Sequence, residues 1–336
     1  MFGVRCFRMS KPSKKSPKKI DFAVGGQAII EGVMMRSPHF YVMAVRRMNG
    51  KIIVKKEKYI GLTKRYKFCS IPLLRGVIAL YESLKLGMRA LLFSNQILLD
   101  DIDAEEAKKK GKKKPKKKKA TLLRKIVTGI LWGLYLVFVF AFALFLFKFL
   151  PLLAAEGISR LSPTVDDHYL LFNAIDGATK ILVFVLYLLL ISLLPDVRRV
   201  FGYHGAEHQA IWAYEHEKKL TVKNAQAEKP EHPRCGTSFI FWVLFLSVLI
   251  YTVMPEEDSF ALKLLERIAA LPLIAGISYE VLRITGKFDS KWWMHWVALP
   301  GLWIQKITTK KPDDKMQEVA LKSLETALKA EKSYKG

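Results

Sequence analysis

The chain has 336 residues, enough for one large or two small domains; 51% are hydrophobic, yet the formal net charge is +25. That pairing excludes an ordinary soluble globule and fits a membrane protein whose basic segments face anionic lipid or RNA. Cys6, Cys69 and Cys235 are far apart and form no C-x-x-C, which argues against a disulfide framework and for a reducing compartment.

Residues 1–20, rich in Lys, Ser and Pro, read as a basic disordered tail. They carry charges but no apolar core of a cleavable signal peptide. Residues 21–70 read as a small β-rich cytoplasmic unit. Two strand-forming runs, Tyr41 to Val45 and Lys51 to Val54, flank Asn49-Gly50, a strong hairpin signal. Gly25-Gly26 can bring backbone close to another group. Glu31 stands among Ala28, Ile29, Ile30 and Val33, so it is either edge-exposed or functional. Gln27, Glu31 and Arg36 are therefore candidates for a further site.

Residues 71–100 predict an amphipathic helix. Arg75, Glu82, Lys85 and Arg89 interrupt its apolar pattern too often for a lipid-spanning helix, so it is interfacial or packed on a core. Residues 101–122 form a lysine-rich linker just before the first long apolar segment. Such a run binds anionic lipid headgroups or RNA phosphates, and without aromatics it offers no base stacking.

The membrane domain is expected over 123–282, with four spans. Ile126 to Phe147 would run about 33 Å, enough for a hydrocarbon core of about 30 Å, with Lys148 snorkelling at its far end. The second span ends at Leu194 and reaches back to about Tyr169, which places Asp176 and Lys180 one turn apart near its outer end. Thr237 to Met254 is the third span. Leu262 to Val281 is the fourth, with Glu266, Arg267 and Glu280 near its ends. Residues 283–336 hold a Trp-rich interfacial or re-entrant segment, Trp292 to Ile304, and then an amphipathic helix from about Lys315 to Lys332 that starts after Pro312-Asp313-Asp314. Basic residues concentrate before 125, in 195–236 and after 282, while the loops 150–168 and 255–261 are acidic. The positive-inside rule puts both termini and the 195–236 loop in the cytoplasm. The fold class is thus mainly α and polytopic, with the β-rich unit and the Trp-rich interfacial helix added. Four helices alone make a thin bundle, which leaves a homo-oligomer open.

The chemistry gathers in 201–236, which holds four of the seven histidines. Read as a helix, this stretch puts His204, Glu207, His208 and Glu215 on one face. His204-Gly-Ala-Glu207-His208 matches H-x-x-E-H, in which two imidazoles one turn apart hold a metal and the glutamate is the base. His232-Pro-Arg234-Cys235 follows as a second loop. His204 and His208 are the best ligands, and Cys235 adds a thiolate, which favours zinc. His232 is a fourth ligand or a supporting partner, Glu215 an alternative ligand, and Glu207 the catalytic base. An open fourth position would make the site catalytic; His232 filling it would make it structural. The same residues also suit a metal-free hydrogen-bonded hairpin in which Arg234 and Glu231 pair with the histidines and the glutamate.

GGQAIIEGVMMRSP, FGYHGAEHQAIWAYE, HPRCGTSF, LPGLW and ITTKKPDD, in this order, resemble the DUF1385 family of YqhQ-like bacterial integral membrane proteins, from about Ala23 to Leu328. The resemblance implies a bacterial cell-membrane protein and a metal-dependent enzyme of unknown reaction. Two functions therefore compete. One is a zinc-dependent hydrolase acting on a membrane-associated substrate at the cytoplasmic face. The other is a non-enzymatic adaptor or insertion factor that binds ribosome, translocon or anionic lipid through its basic segments. A transporter fits less well, because the spans carry few charges.

Overall fold

The computed structural model describes residues 22, 24–110, 122–166, 168–254, 259–287 and 292–334. The tail at 1–20 and the core of the lysine run, 111–119, lie outside the described residues. The first described element is an antiparallel meander of four strands, β1 (Gly25–Ile29), β2 (Gly32–Arg36), β3 (Phe40–Arg46) and β4 (Ile52–Lys58), in that spatial order. The β1–β2 turn is two residues long, with Glu31 at φ 51. The β3–β4 hairpin turns through Asn49-Gly50, as its sequence predicts, with Gly50 at φ 82 where a side chain would be strained. On β4, Lys55, Lys56 and Lys58 blunt one sheet edge.

β2 and β3 are buried on both faces. Alternation sends Val33, Met35, Val42 and Ala44 to one side, and Met34, Tyr41, Met43 and Val45 to the other. The second face packs on Leu86 and Ala90 of a 36-residue helix, α1 (Leu74–Lys109). This is the predicted amphipathic helix, longer than expected and core-packed at its centre. Its first turn crosses a later helix through Gly76 and Gly276, where Arg75 makes a two-point ion pair with Glu280.

Among the described residues, three helices, or runs of helix, are long and apolar enough to cross a membrane. The first is α2 (Leu122–Leu144), continued through a π turn at Phe145–Phe149 into α3 (Leu150–Leu161). Much of the expected loop at 150–168 is therefore helix. The others are α4 (Tyr169–Ser192) and α6 (Gly236–Val253). Between them lies α5 (Pro195–Glu215). The expected fourth span is two helices, α7 (Phe260–Ala269) and α8 (Leu271–Lys287). Pro272 has no N–H, and its ring opposes the carbonyl four residues back, which breaks the helix near Ala270. The Trp-rich segment is α9 (Trp292–Thr308), laid against the start of α6 where Gly301 meets Ser238.

The last helix, α10 (Asp314–Lys332), is N-capped by the Asp313 carboxylate on the Met316 N–H. With α5 it covers the first face of the sheet. Tyr203, Ala206 and Ala210 of α5 meet Val319, Ala320, Leu324 and Ala327 of α10 over Val33, Met35, Val42 and Ala44. Ser323 donates to the Val42 carbonyl at 2.9 Å, and Glu331 accepts from Ser37 at 2.7 Å. Residues from the start, middle and end of the chain thus share one core. Leu324 has no exposed surface. Leu324→Ala is expected to lower the unfolding free energy by about 2–5 kcal/mol, read as a lowered Tm of the purified full-length protein.

Candidate metal centre

α5 is a helix without a solvent face in its second half, since Tyr203 to Ile211 pack against the sheet, α10 and the 228–235 loop. Its small residues permit this. At Gly205 a Cβ would strike the Lys310 carbonyl, and at Gly202 it would lie 2.7 Å from the Met316 sulfur. The helix carries His204 and His208 one turn apart, as the spacing requires. Cys235 is the N-cap of α6. The ligand atoms of His204, His208 and Cys235 all lie within 4.8 Å of one another.

Each imidazole is oriented by a backbone carbonyl. His204 Nδ1 is 2.8 Å from the Thr308 oxygen, and His208 Nδ1 is 2.6 Å from the Pro230 oxygen. Both Nδ1 atoms must then carry the proton, which leaves each Nε2 lone pair free. His204 Nε2 lies 3.2 Å from Cys235 Sγ, and His208 faces the same sulfur. Burial holds His208 below the ordinary imidazole range despite the thiol beside it. The Thr237 hydroxyl also donates to the sulfur, at 3.3 Å. Two neutral imidazoles and one sulfur, oriented from behind by carbonyls, make a donor set that fits zinc.

Glu207 is buried between the two histidines in sequence, and it points to the sheet. Its one resolved donor is the Gly26 N–H, and a Cβ at position 26 would lie 2.8 Å from its carboxylate. That close approach is the use of the Gly25-Gly26 pair. Burial pushes the Glu207 carboxyl up to about 7, against the opposing effect of His204 and the Gly26 hydrogen bond. A cation bound at the triad would draw it down again.

The remaining candidates fall elsewhere. His232 turns from the triad: its Nε2 is 3.2 Å from Glu215, and its Nδ1 accepts from the Arg234 N–H at 3.3 Å. Arg234 completes the set with an ion pair to Glu215. Glu215 and His232 thus bind one another rather than joining the triad. Glu31 clamps the β1–β2 turn to α5 through two 2.6 Å bonds from Arg199. Gln27 and Arg36 face α1: Gln27 packs on Gly87, and Arg36 lies 3.9 Å from Glu82. Both line a cleft of about 480 Å³ with Gly25, Gly26, Ser37 and Lys64.

Two supports escaped the sequence reading. Buried Gln305 of α9 accepts from the His232 N–H at 2.7 Å, gives back to its carbonyl at 2.9 Å, and reaches Ser238 at 3.2 Å. It fixes the loop that delivers Cys235. Thr308 acts through its carbonyl. A glutamine in an apolar helix was the available signal for the first; nothing in a side-chain pattern marks the second.

The family described as "Protein of unknown function (DUF1385)" matches residues 71–330. "Uncharacterized protein YqhQ" of Bacillus subtilis (strain 168) is 34% identical over 321 residues, covering 94% of this chain and 95% of that protein. No solved structure matches.

Two outcomes follow from the geometry. Gly26→Ala forces β1 away from Glu207 and from the Met34 carbonyl, 2.7 Å from the new Cβ, and should lower Tm by at least several degrees. For Glu215, burial raises the carboxyl, but His232 and Arg234 outweigh it, so the folded value is depressed. Its stability contribution is present at neutral pH and is lost as pH falls through the carboxylate range. Glu215→Gln should therefore be less stable at pH 7 and show a shallower fall of Tm between about pH 5 and pH 3.

Proposed function

The chain belongs to the DUF1385 family, and we propose that it is a membrane-embedded, zinc-dependent hydrolase whose site faces the cytoplasm. The observation that carries this reading is the triad of His204, His208 and Cys235, whose ligand atoms lie within 4.8 Å of one another, with the buried Glu207 on the same helix between the two histidines. These three residues would hold the ion. Three protein ligands are the usual complement of a catalytic zinc, with the fourth position open. The ion would supply a Lewis acid to the carbonyl or phosphoryl oxygen of the substrate. Glu207 would serve as the base only by turning its carboxylate from Gly26 toward the ion, where it would take the proton of the attacking water and return it to the leaving group. Burial raises its carboxyl, and a cation bound at the triad would lower it again, toward the ionised form that accepts a proton. Thr308 and Pro230 hold the imidazoles in the ligand tautomer. His232, Glu215, Arg234 and Gln305 hold the Cys235 loop.

Topology supports a site on one membrane side. The sheet precedes α2, α5 lies between α4 and α6, and α10 ends the chain, yet all three share a core. An even number of crossings between them would account for this. α2–α3 and α4 form the first pair, while α6 and a return through α7 and α8 form the second. That is the four-crossing arrangement with both termini inside, the side the basic segments favour. The substrate class is a membrane-associated ester, amide or phosphoester.

The 3.2 Å approach of His204 Nε2 to Cys235 favours one second reading, a cysteine nucleophile with His204 as its base. Metal analysis separates the two. The detergent-purified full-length protein should hold about one zinc per chain, lost in His204→Ala and Cys235→Ser but kept in Glu207→Gln. Hydrolysis found in a substrate screen should fall about 10²–10⁴-fold in Glu207→Gln. A wild-type protein that takes up no zinc, yet is rapidly alkylated at Cys235, overturns the metal reading in favour of the thiol. Activity lost instead on deleting 108–119, with Glu207→Gln unaffected, returns the adaptor.

A further inference from the structure

A second polar cluster lies at the other end of the membrane helices. Lys148, Asn173, Asp176, Lys180, Tyr251 and Arg267 are each at most 9% exposed. Cys235 caps α6 and Tyr251 lies sixteen residues along it, about 24 Å at 1.5 Å per residue. The cluster therefore sits roughly one membrane thickness from the His/Cys triad.

Its charges do not balance. Lys180 lies 3.0 Å and Arg267 2.6 Å from the same oxygen of Asp176, and Arg267 also donates to Asn173 at 2.8 Å. Lys148 has no carboxylate partner among the described residues; it donates to the Tyr251 hydroxyl at 2.7 Å, which in turn donates to the Arg267 carbonyl at 3.0 Å. All three cations lie 4.8–5.0 Å from the centre of the Tyr251 ring. The neighbouring Glu156 is shared by Lys263 at 3.6 Å and Arg160 at 3.5 Å, so it supplies no spare carboxylate to the cluster. Among the described residues, three cations thus face one carboxylate in a bundle of apolar helices, where unpaired charge marks a functional site.

Two further features point inward. Lys148 sits in the π turn, where the Leu150 N–H reaches back five residues to the Phe145 carbonyl, a distortion common at functional sites. The second oxygen of Asp176 is buried with no partner among the described residues.

We propose that Lys148, Lys180 and Arg267 form a binding site for a phosphate-bearing anion at the end of the membrane domain opposite the His/Cys triad. Two excess positive charges match a phosphate. Each ammonium uses one of its three hydrogens in a resolved bond, so the lysines retain donors for several oxygens of one anion. The free Asp176 oxygen accepts a hydroxyl of the ligand, on the phosphate or on a headgroup. The site is independent of the metal reading.

The test uses full-length protein in nanodiscs of phosphatidylcholine, titrated separately with inorganic phosphate and with short-chain phosphatidic acid, read by Tm and native mass spectrometry. Saturable one-to-one binding of either probe is expected, with Tm raised by several degrees. Affinity should weaken at least tenfold in Lys148→Met and in Lys180→Met. Binding of phosphatidic acid alone identifies a lipid headgroup, and displacement by phosphate identifies a soluble anion. Lys148→Met breaks no ion pair, so it decides the matter if Lys180→Met does not fold. No saturable binding to wild type, or equal binding by Lys148→Met, overturns the site.

Discussion

The two central strands of the sheet have no solvent face, and the rest of the structure follows from covering them. A four-stranded meander with Val42, Ala44, Met43 and Val45 pointing alternately to both sides would expose apolar surface on two faces. α1 covers one side directly after the last strand. The other side is covered by α5, which arrives after α2–α3 and α4, and by α10, which arrives after α6 to α9. That requirement draws three distant segments to one place. It also explains why α5 can be so polar in sequence and so buried in fact. His204, Glu207 and His208 sit on a helix that is pinned on one side by the sheet and α10 and on another by the Cys235 loop.

Burial of Glu207 is the chemical consequence of that packing. Its carboxyl meets the edge strand where Gly26 has no side chain, so the sheet approaches the helix more closely than any other residue would permit. Removal from water makes a carboxyl costly to ionise, and a single backbone N–H offsets only part of that. The histidines beside it are treated differently. Each has a carbonyl behind it and its free nitrogen toward sulfur. The helix therefore sorts its polar residues by which neighbour each one meets.

Much of this was legible because local chemistry decided it. Asn49-Gly50 set the hairpin, Asp313 capped the last helix, and the spacing of His204 and His208 put both on one face. The i, i+4 pairing of Asp176 and Lys180 was likewise written in the span. The rest depended on contacts and breaks that the composition of a segment does not display. His232 reads as a fourth ligand or a supporting partner, and its ring meets Glu215 and takes the Arg234 N–H. Lys148 looked like a snorkelling lysine at a helix end, but the helix continues through the π turn and Pro151, so the side chain is drawn inward to Tyr251. The fourth span looked continuous in composition, and Pro272 divided it. Gln305 was silent because its role is to hold backbone.

The two polar clusters share the same helices, and this links them physically. α6 begins at Cys235 and carries Tyr251 sixteen residues later; α4 carries Asp176 and Lys180 and leads through Leu194 into the histidine helix. α4 and α6 pack along one another, with Gly177 closed against Val248. Both clusters are held by bonds that reach across these helices and their neighbours: Gln305 to Ser238 at one end, Arg267 to Asp176 and Lys148 to Tyr251 at the other. A rigid shift of α6 against α4 would move Cys235 relative to the histidines and Tyr251 relative to the cations together, because a helix transmits displacement along its axis while its interior bonds stay intact. The two clusters are therefore the opposite ends of one packed helix pair, each closed by side-chain bonds to a neighbouring helix.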